Sequence, residues 1–279
     1  MEKMIARQEI SARDSQPLGS VRASGLRKQY PRKGLPPINV LEDCTFDIEP
    51  GKLTVLMGTS GCGKSTLAYI LAGYLQPDTG TLTMDGQPVR GPGPDRIMVF
   101  QETALWPWMT IMENVLFGPR VMSSMSMHLA EEKALQLLMK FGLIDFRDKY
   151  PGQLSGGMKR RAELAQALIN NPKLMILDEP FRGLDIMTRE LMQEYYLKLY
   201  EETRLTTLFI TSELEEAIFL GDRVLVMSGT PGRVIKSLNL DLPHPRKFEV
   251  LTSERYIEIK KELMEALHLD STKNQQTTV

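Results

Sequence analysis

Residues 52–66 read KLTVLMGTSGCGKST, and this stretch decides the fold. KLTVLM is a short, almost continuous apolar run, the signature of a strand buried on both faces of a parallel sheet. GTSGCGKST (58–66) fits the pattern GxxxxGK[ST], standing after a strand and opening a helix, the context that motif needs. Gly58, Gly61 and Gly63 let the backbone curl until its amides point inward, at a helix N-terminus that already attracts anions. Thr59, Ser60, Cys62 and Thr66 complete the cradle. Lys64 reaches β- and γ-phosphate oxygens, and the Ser65 hydroxyl joins a Mg²⁺ shell. These residues predict a nucleotide triphosphate site. Cys62 has two readings, a small residue that fits or a thiol activated by Lys64 and the helix end.

Outward from the loop, apolar runs bounded by turns alternate with helical periodicity, which implies an α/β fold with a parallel sheet. VRASGLRKQYP and INVLEDCTFDIEPG alternate in the manner of antiparallel strands joined by a loop. Residues 64–75 form a helix ending near Gly73 and Pro77, and GTLTMDGQPV returns as a hairpin through Asp85-Gly86. DRIMVFQ is a further strand. Residues 104–170 turn helical, with AEEKALQLLMKFGL and SGGMKRRAELAQALI the clearest helices. KLMILDEP and TTLFIT are two more buried strands, separated by the helix RELMQEYYLKLYEE. DRVLVMSGTPGRVI reads strand-turn-strand, and TSERYIEIKKELMEALH puts Tyr256, Ile259, Leu263 and Leu267 on one helical face.

The 279 residues carry a formal net charge of -1, with 42% apolar and 25% charged residues, an ordinary balance for a globular protein. The basic excess of a nucleic-acid binder is missing. Two cysteines, Cys44 and Cys62, make no disulfide framework and suit a reducing compartment. Residues 1–20 lack the apolar core of roughly 7–15 residues that marks a secretory signal, and we expect a disordered tail there. Nothing approaches the uninterrupted apolar run of about 18 residues that spans a bilayer.

LSGGM (154–158) stands ahead of LMILDEP (174–180). Together with the phosphate loop, this combination resembles the ATP-binding subunit of an ABC transporter, over nearly everything from Val21 to Leu242. The resemblance implies a P-loop NTPase (ABC ATPase) of α/β class, with a mainly parallel core sheet, an antiparallel β subdomain and an α-helical subdomain. It divides the chain into a tail (1–20), the ATPase domain (21–242, helical part about 104–170) and a C-terminal helical extension (243–279). Asp178 would hold Mg²⁺ through water, and Glu179 would be the general base for the attacking water. Ser155 caps the following helix, while Gly156 and Gly157 leave amides open toward the γ-phosphate of ATP on a second subunit. A complete site therefore needs a dimer with two ATP molecules between the phosphate loops and signatures. Gln101 matches the family's sensor of γ-phosphate and Mg²⁺. Tyr30, in LRKQYP, matches the aromatic that stacks on adenine, although a core tyrosine would look identical.

One position departs from the family. LFITSELEEAI (208–218) brings Ser212 after the strand where a histidine is expected, and His128, His244 and His268 all lie elsewhere. Ser212 and Glu215 have the spacing of a capping box. A serine hydroxyl is shorter and neutral. A hydrogen bond to a charged group is worth roughly 1.5–3 kcal/mol, so its loss predicts a step about 10- to 100-fold slower. Arg182 stands where the family has small residues, and Glu163 and Gln166 where Ala and Arg are common. Two explanations compete, unequal sites shared with a paralogous ATPase or a homodimer that tolerates serine; the intact phosphate contacts favour the homodimer.

DRIMVFQETALWPWMTIMENVLFG, LEEAIFLGDRVLVMS and LDLPHPR look most like the nitrate, sulfonate, taurine and bicarbonate import branch. That resemblance implies a membrane permease, an indirect link to a substrate-binding protein and a peripheral place on the cytoplasmic face of the membrane. Trp106 and Trp108, followed by Met109, Met112, Met122, Met125 and Met127, are either helical core or a surface awaiting the permease. Two other classes compete with a transport ATPase. A non-hydrolysing, ATP-gated dimerisation module would follow if Ser212 stalls turnover. A soluble cassette acting on nucleic acid or ribosomes would need paired cores or long coiled-coil arms, which the chain lacks.

Overall fold

The computed structural model describes residues 19–123 and 125–276, with side chains through Leu267. The tail expected over 1–20 lies outside the described residues except for Gly19 and Ser20. The first strands, β1 (Val21–Arg32) and β2 (Leu35–Ile48), pair antiparallel. The connection between them is a tight turn at Lys33-Gly34, with Gly34 at φ 72, and not the longer loop the sequence suggested. β3 (Leu53–Met57) leads into α1 (Lys64–Ala72), which stops at Gly73 in the left-handed conformation. There an added Cβ would lie 2.2 Å from the Gly91 carbonyl oxygen, so only glycine fits. β4 (Thr79–Met84) and β5 (Gln87–Pro88) form the expected hairpin, with Asp85 at φ 50 and Gly86 at φ 76.

β6 (Arg96–Val99) precedes three helices, α2 (Ile111–Met122), α3 (Met127–Lys140) and α4 (Gly156–Leu168). β7 (Leu174–Asp178), α5 (Ile186–Thr203), β8 (Thr206–Thr211), α6 (Leu214–Leu220), β9 (Arg223–Met227), β10 (Val234–Asn239) and α7 (Glu254–Gln276) complete the chain. One sheet, in the order β2-β1-β4-β5, is antiparallel; the other runs β10-β9-β3-β8-β7-β6 and is parallel except for β10.

Alternation along the buried strands divides the core into two layers. Leu53, Val55, Met175, Leu177, Phe209, Val224 and Val226 face the side covered by α2 to α7. Leu56, Leu174, Ile176, Leu208, Ile210 and Leu225 face α1 and the antiparallel sheet. Each such side chain, fully buried, contributes about 1.5–3 kcal/mol, enough to hold the register. Leu240, Leu242, Tyr256, Ile259 and Leu263 join the first layer, so the C-terminal segment packs on the same core.

The parallel register has a direct consequence for chemistry. Met57 pairs with Thr211, and Asp178 with Ile210. β3, β7 and β8 therefore end level with one another, and the residues that follow, from Gly58, Glu179 and Ser212 onward, emerge side by side at the carboxyl edge of the sheet. That edge is where open α/β sheets bind ligands.

Candidate active site

At that edge the structure brings together residues from three loops. Lys64 is buried and folds over its own loop, donating to the Gly58 carbonyl at 2.8 Å and the Thr59 carbonyl at 3.0 Å. Its ammonium lies 3.9 Å from Glu179 Oε1. Ser65 donates its hydroxyl to the Asp178 carboxylate, and burial pushes that carboxyl above its ordinary range, against the pull of Ser65 and Lys64. Glu179 has φ 43, a strained value for a residue with a side chain, and its amide is held by the Ile210 carbonyl at 2.9 Å. Such strain, stored where a carboxylate must be aimed, fits a reacting position.

Thr59, Ser60 and Gly61 lie exposed at the loop's rim, with Gly61 at φ 80 and Gly63 at φ 103. Gly58 is buried, and a Cβ there would sit 2.9 Å from the Cys62 sulfur. Cys62 is 1% exposed and belongs to the core beneath the loop. Its side chain serves packing, and the activated-thiol reading loses its support. Cys44 is also buried, its thiol pushed up to about 11 by burial, and neither cysteine is in a disulfide. Thr66 is half-buried on the first turn of α1. Tyr30 is half-buried opposite Ile38, in the ribbon whose continuation at Val40 and Leu41 touches Gly63.

Ser155 caps α4, accepting from the Met158 amide at 3.3 Å. Gly156 and Gly157 pack closely against Leu184 and Thr188 at the start of α5. Among the described residues, no recorded bond joins Ser155, Gly156 or Gly157 to the phosphate loop of the same chain. Gln101 is exposed, but its backbone is fixed: the buried Arg160 donates to the Phe100 carbonyl at 2.7 Å and the Gln101 carbonyl at 2.6 Å. Arg160 also binds Glu163 at 2.8 Å, and Glu163 accepts from the Ala104 amide. Arg160 together with Glu163, one of the two departures in this helix, thus ties the signature helix to the segment carrying Gln101.

The capping box expected at Ser212 does not form. Glu213 occupies the N-cap without a side-chain bond, and its amide donates instead to the Thr211 hydroxyl at 3.0 Å. Thr211 thus closes its own short turn, and the helix opens at Glu213, one residue later than the expected cap requires. Glu215 points away to Lys260 on α7, at 2.7 Å. Ser212 is left exposed on the rim of a cavity of about 140 Å³ that Glu179, Arg182, Arg189, Thr211 and Glu216 also line. Glu216 is buried beneath it, its carboxyl raised by burial and held by Gln193 at 2.9 Å.

Sequence reasoning missed the brace under the phosphate loop. In the turn between β9 and β10, Thr230 donates to the Gly61 carbonyl at 2.9 Å, and Gly232 exchanges backbone bonds with Val40 and Glu42. A Cβ on Gly232 would lie 2.1 Å from the Cys62 carbonyl oxygen. The tract SGTPGR was the available signal, two glycines around a proline where a plain hairpin needs fewer. Gly232→Ala is expected to displace the Cys62 peptide and weaken nucleotide binding at least about tenfold, equal to 1.4 kcal/mol. A titration with a fluorescent ATP analogue measures this, and unchanged affinity would refute the brace.

A glycine-rich loop between strand and helix, with a buried aspartate and a strained glutamate at the end of β7, defines a P-loop ATPase. The family model described as ABC transporter matches residues 41–182. The chain is 40% identical over 238 residues to the taurine import ATP-binding protein TauB of Rhizobium johnstonii, covering 83% of this chain and 90% of that protein. It is 43% identical over 203 residues to the nitrate import ATP-binding protein NrtD of Synechocystis, covering 73% and 76% respectively. Among solved structures, a dimeric ATP-binding cassette in a post-hydrolysis state with ADP and Pi superposes with TM-score 0.69 at 29% identity, covering 80% of this chain and all of that one. The chain belongs to the ABC transporter family, and it is an ATPase of that class.

Proposed function

We propose that the chain is the ATP-hydrolysing subunit of an importer for a small anion of the nitrate, sulfonate, taurine or bicarbonate type. The observation that carries this reading is the convergence of Lys64, Ser65, Asp178 and Glu179 at one sheet edge, in a chain so similar to importer subunits. The phosphate-loop amides and Lys64 bind the triphosphate, and Tyr30 stacks on the adenine. Glu179 Oε1 accepts a proton from the water that attacks the γ-phosphate.

Ser65 and Asp178 fit Mg²⁺. They form a hydroxyl–carboxylate pair already in contact, all oxygen, in the small number of protein ligands that Mg²⁺ takes beside phosphates and water. Gln101, exposed at the edge of the helical subdomain, would be the further ligand for the same ion. When bound, such an ion would supply charge neutralisation to the triphosphate.

Among the described residues Ser155, Gly156 and Gly157 make no hydrogen bond to the phosphate loop of their own chain, which supports their facing ATP on a second subunit. A homodimer is favoured because every phosphate-contacting position but 212 is intact; pairing with a paralogous ATPase is the alternative, favoured by Ser212 and the departures that accompany it. We assign residues 21–242 to the ATPase domain and 243–279 to a C-terminal extension, whose Tyr256, Ile259 and Leu263 pack on the same core.

No helix among the described residues is long and apolar enough to cross a membrane. Attachment at the cytoplasmic face would therefore run through the permease, with a substrate-binding protein linked only indirectly. Trp106 and Trp108 offer a surface for it. Their rings lie 5.2 Å apart, with Trp108 66% exposed. Asn114 clamps the loop that presents them, bonding the backbone at Trp106, Met109 and Thr110. Met112 and Met125 pack on the core, whereas Met122 and Met127 are exposed. On assembly with the permease, tryptophan emission should shift to the blue and resist iodide quenching. Unchanged emission would count against this docking face.

A further inference from the structure

The carboxylate of Glu179 does not stand alone. Arg182 Nη1 bonds its Oε2 at 2.7 Å, while Oε1 faces Lys64 at 3.9 Å. The turn that carries Arg182 is closed by its own amide on the Glu179 carbonyl at 3.1 Å, so backbone and side chain hold the same residue. Lys64 cannot remain beside Glu179 when a triphosphate enters, because its ammonium is the cation that the β- and γ-phosphates draw. Glu179 would then confront an anionic γ-phosphate with no cation from the phosphate loop. On the other side, Ser212 lines the shared cavity but makes no bond to Glu179 among the described residues.

Resting on the ATPase reading above, we propose that Arg182 is the positioning residue for Glu179. Its guanidinium takes one carboxylate oxygen and leaves Oε1 to receive the proton of water. The bond is charge-assisted and directional, so it fixes the rotation of the carboxylate as well as its place. Arg182 is itself 58% exposed on its side chain, so the contact stabilises the fold little and its value lies in aim. The 140 Å³ cavity also leaves room for a longer donor at position 212, which would share the task.

The test is a cycle on the full-length chain: wild type, Arg182→Gly, Arg182→Lys, Ser212→His, and Arg182→Gly with Ser212→His. We expect Arg182→Gly to lower kcat about tenfold, with KM for MgATP and the affinity for a fluorescent nonhydrolysable analogue changed less than about twofold. Arg182→Lys should recover part of the loss. In the Ser212→His background the loss should shrink to about threefold or less, since coupled groups are non-additive.

The proposal is overturned if Arg182→Gly leaves kcat unchanged or raises it. It is equally overturned if the loss appears in KM or analogue affinity, or persists undiminished with histidine at 212. Thermal unfolding of each variant separates misfolding from misplacement. If the wild type hydrolyses no faster than Glu179→Gln, the ATPase reading itself has failed, a result distinct from any of these.

Discussion

Glu179→Gln is expected to cut steady-state ATP hydrolysis by at least about 10²- to 10³-fold, while nucleotide binding stays intact. The amide keeps the size and hydrogen-bonding reach of the carboxylate but cannot take a proton from water. Removing it leaves Lys64 in place for the phosphates and the Ser65–Asp178 pair in place for Mg²⁺, the groups proposed to bind the nucleotide before any bond breaks. The variant should therefore accumulate a long-lived ATP-bound dimer, visible as doubled mass in size-exclusion chromatography with light scattering. Equal rates for wild type and Glu179→Gln would rule out the assignment of the base. A variant that loses nucleotide binding would instead show that Glu179 holds the loop, through the ion pair with Lys64.

The second large effect concerns stability. Glu163→Ala should destabilise the fold by about 3–5 kcal/mol, because it leaves the Arg160 guanidinium buried without its anion. Both residues are only 4% exposed. Burial pushes the Glu163 carboxyl up, and the guanidinium against it favours the ionised form. In a chain of this size such a loss lowers Tm by about 5–9 °C, which calorimetry resolves. Replacing both residues, as in Arg160→Met with Glu163→Leu, should cost less than Glu163→Ala alone, since no charge is then stranded. That double variant should still lose permease-stimulated hydrolysis, because Phe100, Gln101 and Ala104 are released from the signature helix. A Glu163→Ala protein as stable as wild type would refute the lock.

The phosphate loop, the acidic pair at the end of β7 and the cap at Ser155 were legible because each is local. A glycine where φ is positive, a lysine at a fixed offset and a serine before two glycines carry their structural reasons within a few residues. The alternation of β3, β7, β8 and β9 was equally visible, since burial on both faces produces continuous apolar runs. Other features depend on contacts between distant segments. Arg160 meets Phe100 and Gln101 across the gap between two subdomains, and no spacing relates those positions. Gly232 matters for its distance from Cys62, a neighbour only in space. The helix start at Ser212 fails because the helix opens one residue later, at Glu213, and Glu215 is drawn to Lys260 on the distant α7.

The level endings of β3, β7 and β8 bear on how such a centre can change over time. Each strand delivers its own contribution from a separate loop anchored in a shared floor. An exchange in one loop, such as serine at 212 or arginine at 182, alters reach or charge there without shifting the other two. Natural variants can thus retune turnover one loop at a time while the anion cradle keeps its shape.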